Sequence, residues 1–328
     1  MIITLLECED WEKEFFKKRL FEHELHFVDG PIENGLPANT EVLVCFIYSQ
    51  VTADVVSSLN NLKLICTRST GFDHIDLEAC KQHGVVVKNV PFYGENTVAE
   101  HTFALILAIS RRLVEGVSRV RNGVFDPSGL QGFDLKNKVL GVIGTGHIGQ
   151  HVIRMANGFE MDVVAFDPFP NQAAQKRLGF RYVGLDELLS SSDIVSLHCP
   201  YNEHTHHLLN ADNLSKIKQD AVVINTARGG LIHNQALYEA VLDGRVSHAG
   251  LDVLEEETNI RKEEQVLRSL YKHHDDLRSM LVDHALMQHP NVLVTPHNAF
   301  NSSEAILRIL ETTADNILVD SEDNVVSY

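Results

Sequence analysis

An apolar, β-branched run, Val139-Leu140-Gly141-Val142-Ile143, leads directly into Gly144-Thr145-Gly146-His147-Ile148-Gly149. A strand ending in glycines spaced this way has few folds open to it. Gly144 can take a tight turn, Gly146 lets the backbone approach a pyrophosphate, and Gly149 lets the following helix pack close to the strand. A second apolar run, Met161–Phe166, ends in Asp167, eighteen positions beyond Gly149. An acid there accepts hydrogen bonds from the adenosine ribose hydroxyls and repels a 2′-phosphate, which points to NAD over NADP. The plain alternative is a glycine-rich βα turn that binds nothing; strand, turn, helix and acid in register weigh against it.

The same alternation of short strand-like runs and amphipathic stretches fills the rest of the chain. Ile2–Leu6, Val42–Phe46, Leu62–Cys66 and Val85–Val87 read as strands, with helices at Trp11–Leu20, Ala53–Leu59 and Leu77–His83. From residue 139 onward, strands are expected near 139–143, 162–166, 193–198, 221–225, 247–251 and 292–295. Such a pattern implies an α/β fold with two doubly wound parallel sheets. Between them, Asn96 or Thr97 is placed to cap one long helix reaching about Arg119, apolar around enough of its circumference to pack between domains or subunits. A last helix, from Ser303 to about Val319, returns the chain to the first domain and makes it discontinuous. The expected division is 1–98 with 298–328, and 99–297. Residues 258–290 break the rhythm as a charged insertion, read as a solvated flap with helices at Lys262–Tyr271 and Asp276–Met287.

Charge and cysteines narrow the function. With 28 basic and 45 acidic side chains the net charge is −17, and no basic stripe with interleaved aromatics occurs, so nucleic-acid and anionic-membrane partners are disfavoured. The five cysteines are scattered and mostly set in apolar segments, which suits a reducing compartment and argues against a disulfide framework. Residues 1–7 lack a basic leader region, and the longest uncharged apolar stretch, Thr102–Ser110, is too short to span a bilayer. A cytoplasmic location is therefore expected. His204, His206 and His207 read as exposed loop histidines, and His273, His274, His284 and His289 lack a supporting carboxylate or cysteine grouping, so no metal site is expected.

In an open parallel sheet, ligands gather beyond the carboxyl ends of the strands. Arg228, Asp252, Glu257 and His297 all follow expected strands there. Hydride transfer between a nicotinamide and a 2-hydroxy acid needs a cation to anchor and polarise the substrate, and a group to move the hydroxyl proton. Arginine suits the first task because its planar fork meets a carboxylate and a neighbouring oxygen together. Histidine suits the second because it titrates near neutrality, and a nearby carboxylate favours its imidazolium form. Arg228 is thus the expected anchor, His297 the acid/base, and Glu257 the group that orients His297. Taken singly, each could be a surface ion pair or a helix cap.

The run Arg68-Ser69-Thr70-Gly71-Phe72-Asp73-His74-Ile75-Asp76 and the run Asn89 to His101 add to the glycine turn, Asn225-Thr226-Ala227-Arg228-Gly229, Gly250-Leu251-Asp252-Val253 with Glu257, and Thr295-Pro296-His297-Asn298-Ala299-Phe300. Over essentially its full length the chain resembles the D-isomer-specific 2-hydroxyacid dehydrogenase family, most of all its D-lactate dehydrogenase branch. The order Arg, Glu, His and the five-residue step from Asp252 to Glu257 carry the resemblance.

The resemblance implies a flavodoxin-like substrate domain beside a Rossmann NAD domain, and a homodimer. It implies that the amides of Thr70 and Gly71 bind the substrate carboxylate and that Tyr93 and Phe300 line the side-chain pocket. The amides of His147 and Ile148 would meet the pyrophosphate. Cys199, Pro200 and Thr205 would border the adenosine side, and Thr226, Ala227 and Asp252 the nicotinamide. The expected reaction is reduction of pyruvate by NADH to D-lactate. A branched-chain 2-oxo acid, glyoxylate or hydroxypyruvate remains open as substrate. An NAD-sensing corepressor that binds partner peptides is the alternative of another kind.

Overall fold

A computed structural model describes residues 1–255, 274–319 and 323–326. The chain forms two compact units, Met1–Gly94 with Asn301–Tyr328, and Glu95–Phe300.

In the first unit, strands β1 (Ile2–Leu6), β2 (Glu24–Val28), β3 (Val42–Cys45), β4 (Leu64–Thr67) and β5 (Val86–Lys88) form a parallel sheet in the order β2-β1-β3-β4-β5. This is the flavodoxin-like order. Every residue of β3 is buried because helices cover both faces, and successive side chains go to opposite sides. Val42 and Val44 meet Phe16 and Leu20 of the α1 side (α1, Asp10–Arg19), while Leu43 and Cys45 join Val56, Ala79 and Cys80 from α2 (Ala53–Ser58) and α3 (Leu77–His83). Asp76 caps α3 by accepting from the Ala79 amide at 2.9 Å, and Gly84 ends it in the left-handed region at φ +69°. The C-terminal helix, Ser303–Leu318, lays Leu310, Ala314 and Ile317 on the same face as α1. Lys88, buried at the end of β5, donates to the Asn316 and Val319 carbonyls at that helix's C-terminus, where a cation is favoured.

The second unit opens with α4 (Glu95–Ser110) and α5 (Leu113–Arg121). Strands β6 (Val139–Ile143), β7 (Asp162–Phe166), β8 (Arg181–Tyr182), β9 (Ile194–Leu197), β10 (Ala221–Asn225), β11 (Val246–Leu251) and β12 (Val292–Val294) form a parallel sheet ordered β12-β11-β10-β9-β6-β7-β8. Helices α6 (His147–Gly158), α7 (Gln172–Leu178), α8 (Leu185–Ser191), α9 (Ala211–Leu214) and α10 (Asn234–Leu242) connect the strands up to β11, and the helix His274–Gln288 precedes β12. From β6 the chain builds outward through β7 and β8, then crosses back to β9. That reversal is the Rossmann switch point.

Three local expectations need correction. The single helix from residue 96 to about 119 is two: it starts at Glu95, and Arg112, at φ +48°, breaks it into α4 and α5. The Ser110 carbonyl accepts from the Phe133 amide at 2.9 Å, a contact made by distant chain and invisible to local pattern. The expected flap is also partly wrong. Lys262–Tyr271 lies outside the described residues, but in the helix His274–Gln288 both Asp283 and Leu286 are fully buried, with Asp283 bonded to Asn234 of α10. Finally, α4 buries Ala99, Phe103, Leu105, Ile106 and Ile109 within its own unit. The apolar surface left open is on α5 instead.

Among the described residues no helix is long and apolar enough to cross a membrane. All five cysteines are free thiols. Burial pushes Cys8, Cys80 and Cys199 up to about 11 and Cys66 to about 12, and raises Cys45 as well. At pH 8 the thiolate fraction at a group near 11 is about one in a thousand. Ellman's reagent at that pH is therefore expected to find hardly any fast-reacting thiol in the native protein and all five in guanidinium; a rapid native stoichiometry of one or more would contradict this packing.

Candidate active site

The glycine turn sits at the carboxyl end of β6, beside the end of β9. Gly144 has φ +93°, and a Cβ there would stand 2.7 Å from the Cys199 amide nitrogen and the His198 carbonyl. A Cβ on Gly149 would lie 2.1 Å from the Gly144 carbonyl oxygen. Side chains at either position would push strand, turn and helix apart. In front of Gly146, by contrast, no atom lies within 4 Å of the place a Cβ would take, and no side chain caps α6 there. An open, uncapped helix N-terminus is suited to an anion such as a pyrophosphate. Asp167, past the end of β7, accepts from the Thr145 amide at 2.8 Å, the Thr145 hydroxyl at 2.9 Å and the Phe169 amide at 2.9 Å. The acid is thereby fixed against the turn, as the ribose of a dinucleotide requires. The His147 ring points to Glu95 at 3.1 Å.

Cys199 follows β9, and Thr205 closes the next turn by donating to the Pro200 carbonyl at 2.8 Å. In the same connection His207 is half-buried and bonded to Glu255, its ring stacked on His206 with centroids 3.7 Å apart. His207 is thus a structural tie to the segment after β11, while His204 and His206 are exposed as expected.

Arg228 is half-buried in the loop after β10. Asn225 shapes that loop from inside: its side chain donates to the Arg228 carbonyl at 2.9 Å and accepts from the Ala227 amide at 3.0 Å. The Arg228 guanidinium donates to the Ala227 carbonyl at 2.8 Å. Thr226 is buried, its hydroxyl 2.9 Å from that of Thr102 on α4.

His297 follows β12 and is half-buried with φ +53°, a left-handed conformation costly for a residue with a side chain. Its amide is held by the Asp252 and Thr295 carbonyls, each at 2.9 Å. The Asp252 side chain completes the arrangement. It accepts from the Asn298 and Ala299 amides at 2.8 Å each and from the Thr295 hydroxyl, and lies 3.4 Å from His101 of α4. Burial pushes this carboxyl up, but the bonds from His101, Thr295, Asn298 and Ala299 outweigh burial and leave it below the usual carboxylate range. Asp252 is 1% exposed, so its carboxylate faces the His297 loop from within. Glu257 lies outside the described residues.

The first unit, taken by itself, also places polar residues at its strand ends. Thr70 is exposed, its hydroxyl on the Val90 carbonyl at 2.9 Å, and the Gly71 carbonyl accepts from Ser69 at 2.6 Å. Beneath them Arg68 is buried, bonded to Glu12 at 3.1 Å and to the Leu6 and Glu7 carbonyls. Tyr93 is half-buried, its carbonyl held by Arg308 at 2.7 Å. Sequence reasoning missed Glu7, whose carboxylate accepts from the Phe46 amide and the Ser49 hydroxyl at 2.7 Å each, and whose carboxyl burial pushes up. The rule that selected Arg228 and His297, a polar residue just past a strand, would have found it.

A family model described as D-isomer specific 2-hydroxyacid dehydrogenase, NAD binding domain, matches residues 103–299. The D-lactate dehydrogenase of Escherichia coli K12 is 35% identical over 324 residues, covering 97% of this chain and 96% of that protein. The chain belongs to the D-isomer specific 2-hydroxyacid dehydrogenase family. NAD is therefore its cofactor, and the glycine turn with Asp167 fits it. Among solved structures, the D-lactate dehydrogenase from Aquifex aeolicus complexed with NAD and lactic acid superposes with a TM-score of 0.85 at 35% identity, covering 96% of this chain and 94% of that one. The pyruvate reductase of Chlamydomonas reinhardtii gives 0.85 at 38%, covering 97% and 96%. The two-sheet architecture of this dehydrogenase is that of its relatives.

Asp252 supplies a stability test for the family's His loop. A carboxyl held below its unfolded value contributes stability that is present above about pH 4 and is lost as pH falls through the folded value. Asp252→Asn is expected to lower the unfolding free energy at pH 7 by about 2 kcal/mol, with the gap to the parent narrowing below pH 4. Urea midpoints equal at pH 7 would refute the role.

Proposed function

We propose that this protein is an NAD-dependent D-lactate dehydrogenase that reduces pyruvate with NADH. The observation that carries the reading is the placement of Arg228 and His297 on loops leaving β10 and β12, the two neighbours of β11, at the strand edge that also bears the glycine turn. Relatives named for D-lactate and pyruvate support the choice of substrate.

The bound nicotinamide supplies a hydride for the carbonyl carbon of the 2-oxo acid. The Arg228 fork pairs with the substrate carboxylate and the adjacent carbonyl oxygen, stabilising the charge that grows on that oxygen. Protonated His297 delivers its proton to the same oxygen, and in lactate oxidation the neutral imidazole takes it back. Glu257 is assigned to orient His297. The Thr70 and Gly71 amides hold the carboxylate, and Tyr93 and Phe300 border the methyl group. His147 and Ile148 meet the pyrophosphate; Cys199, Pro200 and Thr205 flank the adenosine; Thr226, Ala227 and Asp252 flank the nicotinamide, Asp252 also holding the His297 loop.

His297→Ala is expected to keep NADH affinity while losing about 100-fold or more in pyruvate reduction. A panel of 2-oxo acids followed by NADH absorbance checks the substrate. Pyruvate inert beside a turned-over larger 2-oxo acid would replace it, and no turnover at all would favour a binding protein.

We also infer a homodimer. Leu113, Val114, Val117 and Val120 on α5 are each 41% to 56% exposed, a contiguous apolar stripe unusual for a lone surface helix. Sedimentation is expected to give twice the chain mass, and Val117→Glu should shift it toward the monomer; a monomeric parent would refute the pairing.

A further inference from the structure

We propose that His101 of α4 is a positioning residue for the proposed acid/base, fixing the loop 295–299 through Asp252 and Thr295; this rests on the assignment of His297 above. Helix α4 turns an apolar side to its unit, with Ala99, Phe103, Leu105 and Ile106 buried. His101 lies on the same helix with its side chain 19% exposed, and the ring nitrogen it turns inward is hydrogen-bonded. His101 reaches its partners with one ring nitrogen. Nε2 stands 3.1 Å from the Thr295 hydroxyl oxygen and 3.4 Å from Asp252 Oδ1.

The direction of these bonds follows from counting protons. The Thr295 hydroxyl donates its single proton to Asp252 Oδ1, so its oxygen can only accept from His101. Asp252 is ionised and also accepts. Nε2 of His101 therefore carries hydrogen, whether the ring is neutral or cationic, and donates into the acceptor pair. Asp252 in turn holds the Asn298 and Ala299 amides through its side chain, and the His297 amide through its carbonyl. Two links, His101 to Asp252 and Asp252 to the His297 amide, separate a helix from the left-handed turn that carries the imidazole.

The adjacent residue doubles the effect. The Thr102 hydroxyl, fully buried, lies 2.9 Å from that of Thr226, two positions before Arg228. Consecutive residues of one rigid helix thus grip both the loop of the proposed anchor and the loop of the proposed proton carrier. Their separation is set by α4, not by either loop alone.

The test uses the full-length protein with NADH and pyruvate. His101→Ala is expected to lower kcat by about 10- to 100-fold while the NADH dissociation constant stays within about twofold, and His101→Gln, whose amide can donate from a similar reach, should recover most of the loss. If the alanine variant is insoluble, His101→Phe keeps the ring volume without the donor and serves the same purpose. Histidine-selective nitrogen-15 spectra supply a reading independent of turnover. The His297 ring resonance, identified by its loss in His297→Ala, should move in His101→Ala and return in His101→Gln. A parent that reduces no 2-oxo acid would defeat the functional reading, and the resonance would then decide this one alone. An unmoved His297 resonance, or kcat within twofold of the parent, would overturn the role of His101.

Discussion

A buried carboxylate with four donors around it is the constraint on which the second unit's loops depend. Asp252 has left β11 and turned inward, and nothing in the surrounding core could tolerate its charge without the Thr295 hydroxyl, the Asn298 and Ala299 amides and His101. Because each of those donors must be present for the ion to be stable, the loop after β12 has little freedom. The positive φ of His297 is the local cost of that closure, offset by the bonds that enforce it.

The sheet determines which loops can cooperate. Parallel strands deliver all their carboxyl ends to one edge, and the reversal at β6 and β9 opens that edge where the glycine turn lies. β10, β11 and β12 are neighbours, so the loops bearing Arg228, Asp252 and His297 issue from adjacent strands. Helix α4 then adds what the sheet cannot: a second fixed reference, contacting two of those loops through His101 and Thr102. The first unit repeats the scheme in simpler form, with buried Arg68 pinned by Glu12 and two carbonyls beneath the exposed Thr70.

Legibility differed by the range of the interaction involved. β6, β7 and β10 were read within a residue, since each has a mostly apolar, mostly buried run. β2 was missed because Glu24 and His26 interrupt an edge strand, and β8 because two residues, Arg181 and Tyr182, make no pattern. The break at Arg112 and the burial of Asp283 went unseen for another reason: each depends on a partner more than twenty positions away. At the site, Arg228 and His297 stood out as polar residues past apolar strands. His101 did not, because it lies inside a helix and its partner Thr295 is almost two hundred positions away, and Glu7 was passed over although the same strand-end rule applies to it.

Fold class, cofactor and family were determined by the sequence itself, because glycine spacing, strand hydrophobicity and the acid after β7 act through neighbours in the chain. The tertiary structure alone decided that Asp252 turns inward, that α5 and not α4 leaves an apolar stripe exposed, and that His101 and Thr102 brace two loops. Those outcomes rest on hydrogen bonds and burial between residues up to about two hundred positions apart, and no local pattern of side chains encodes which distant donor will meet a buried charge.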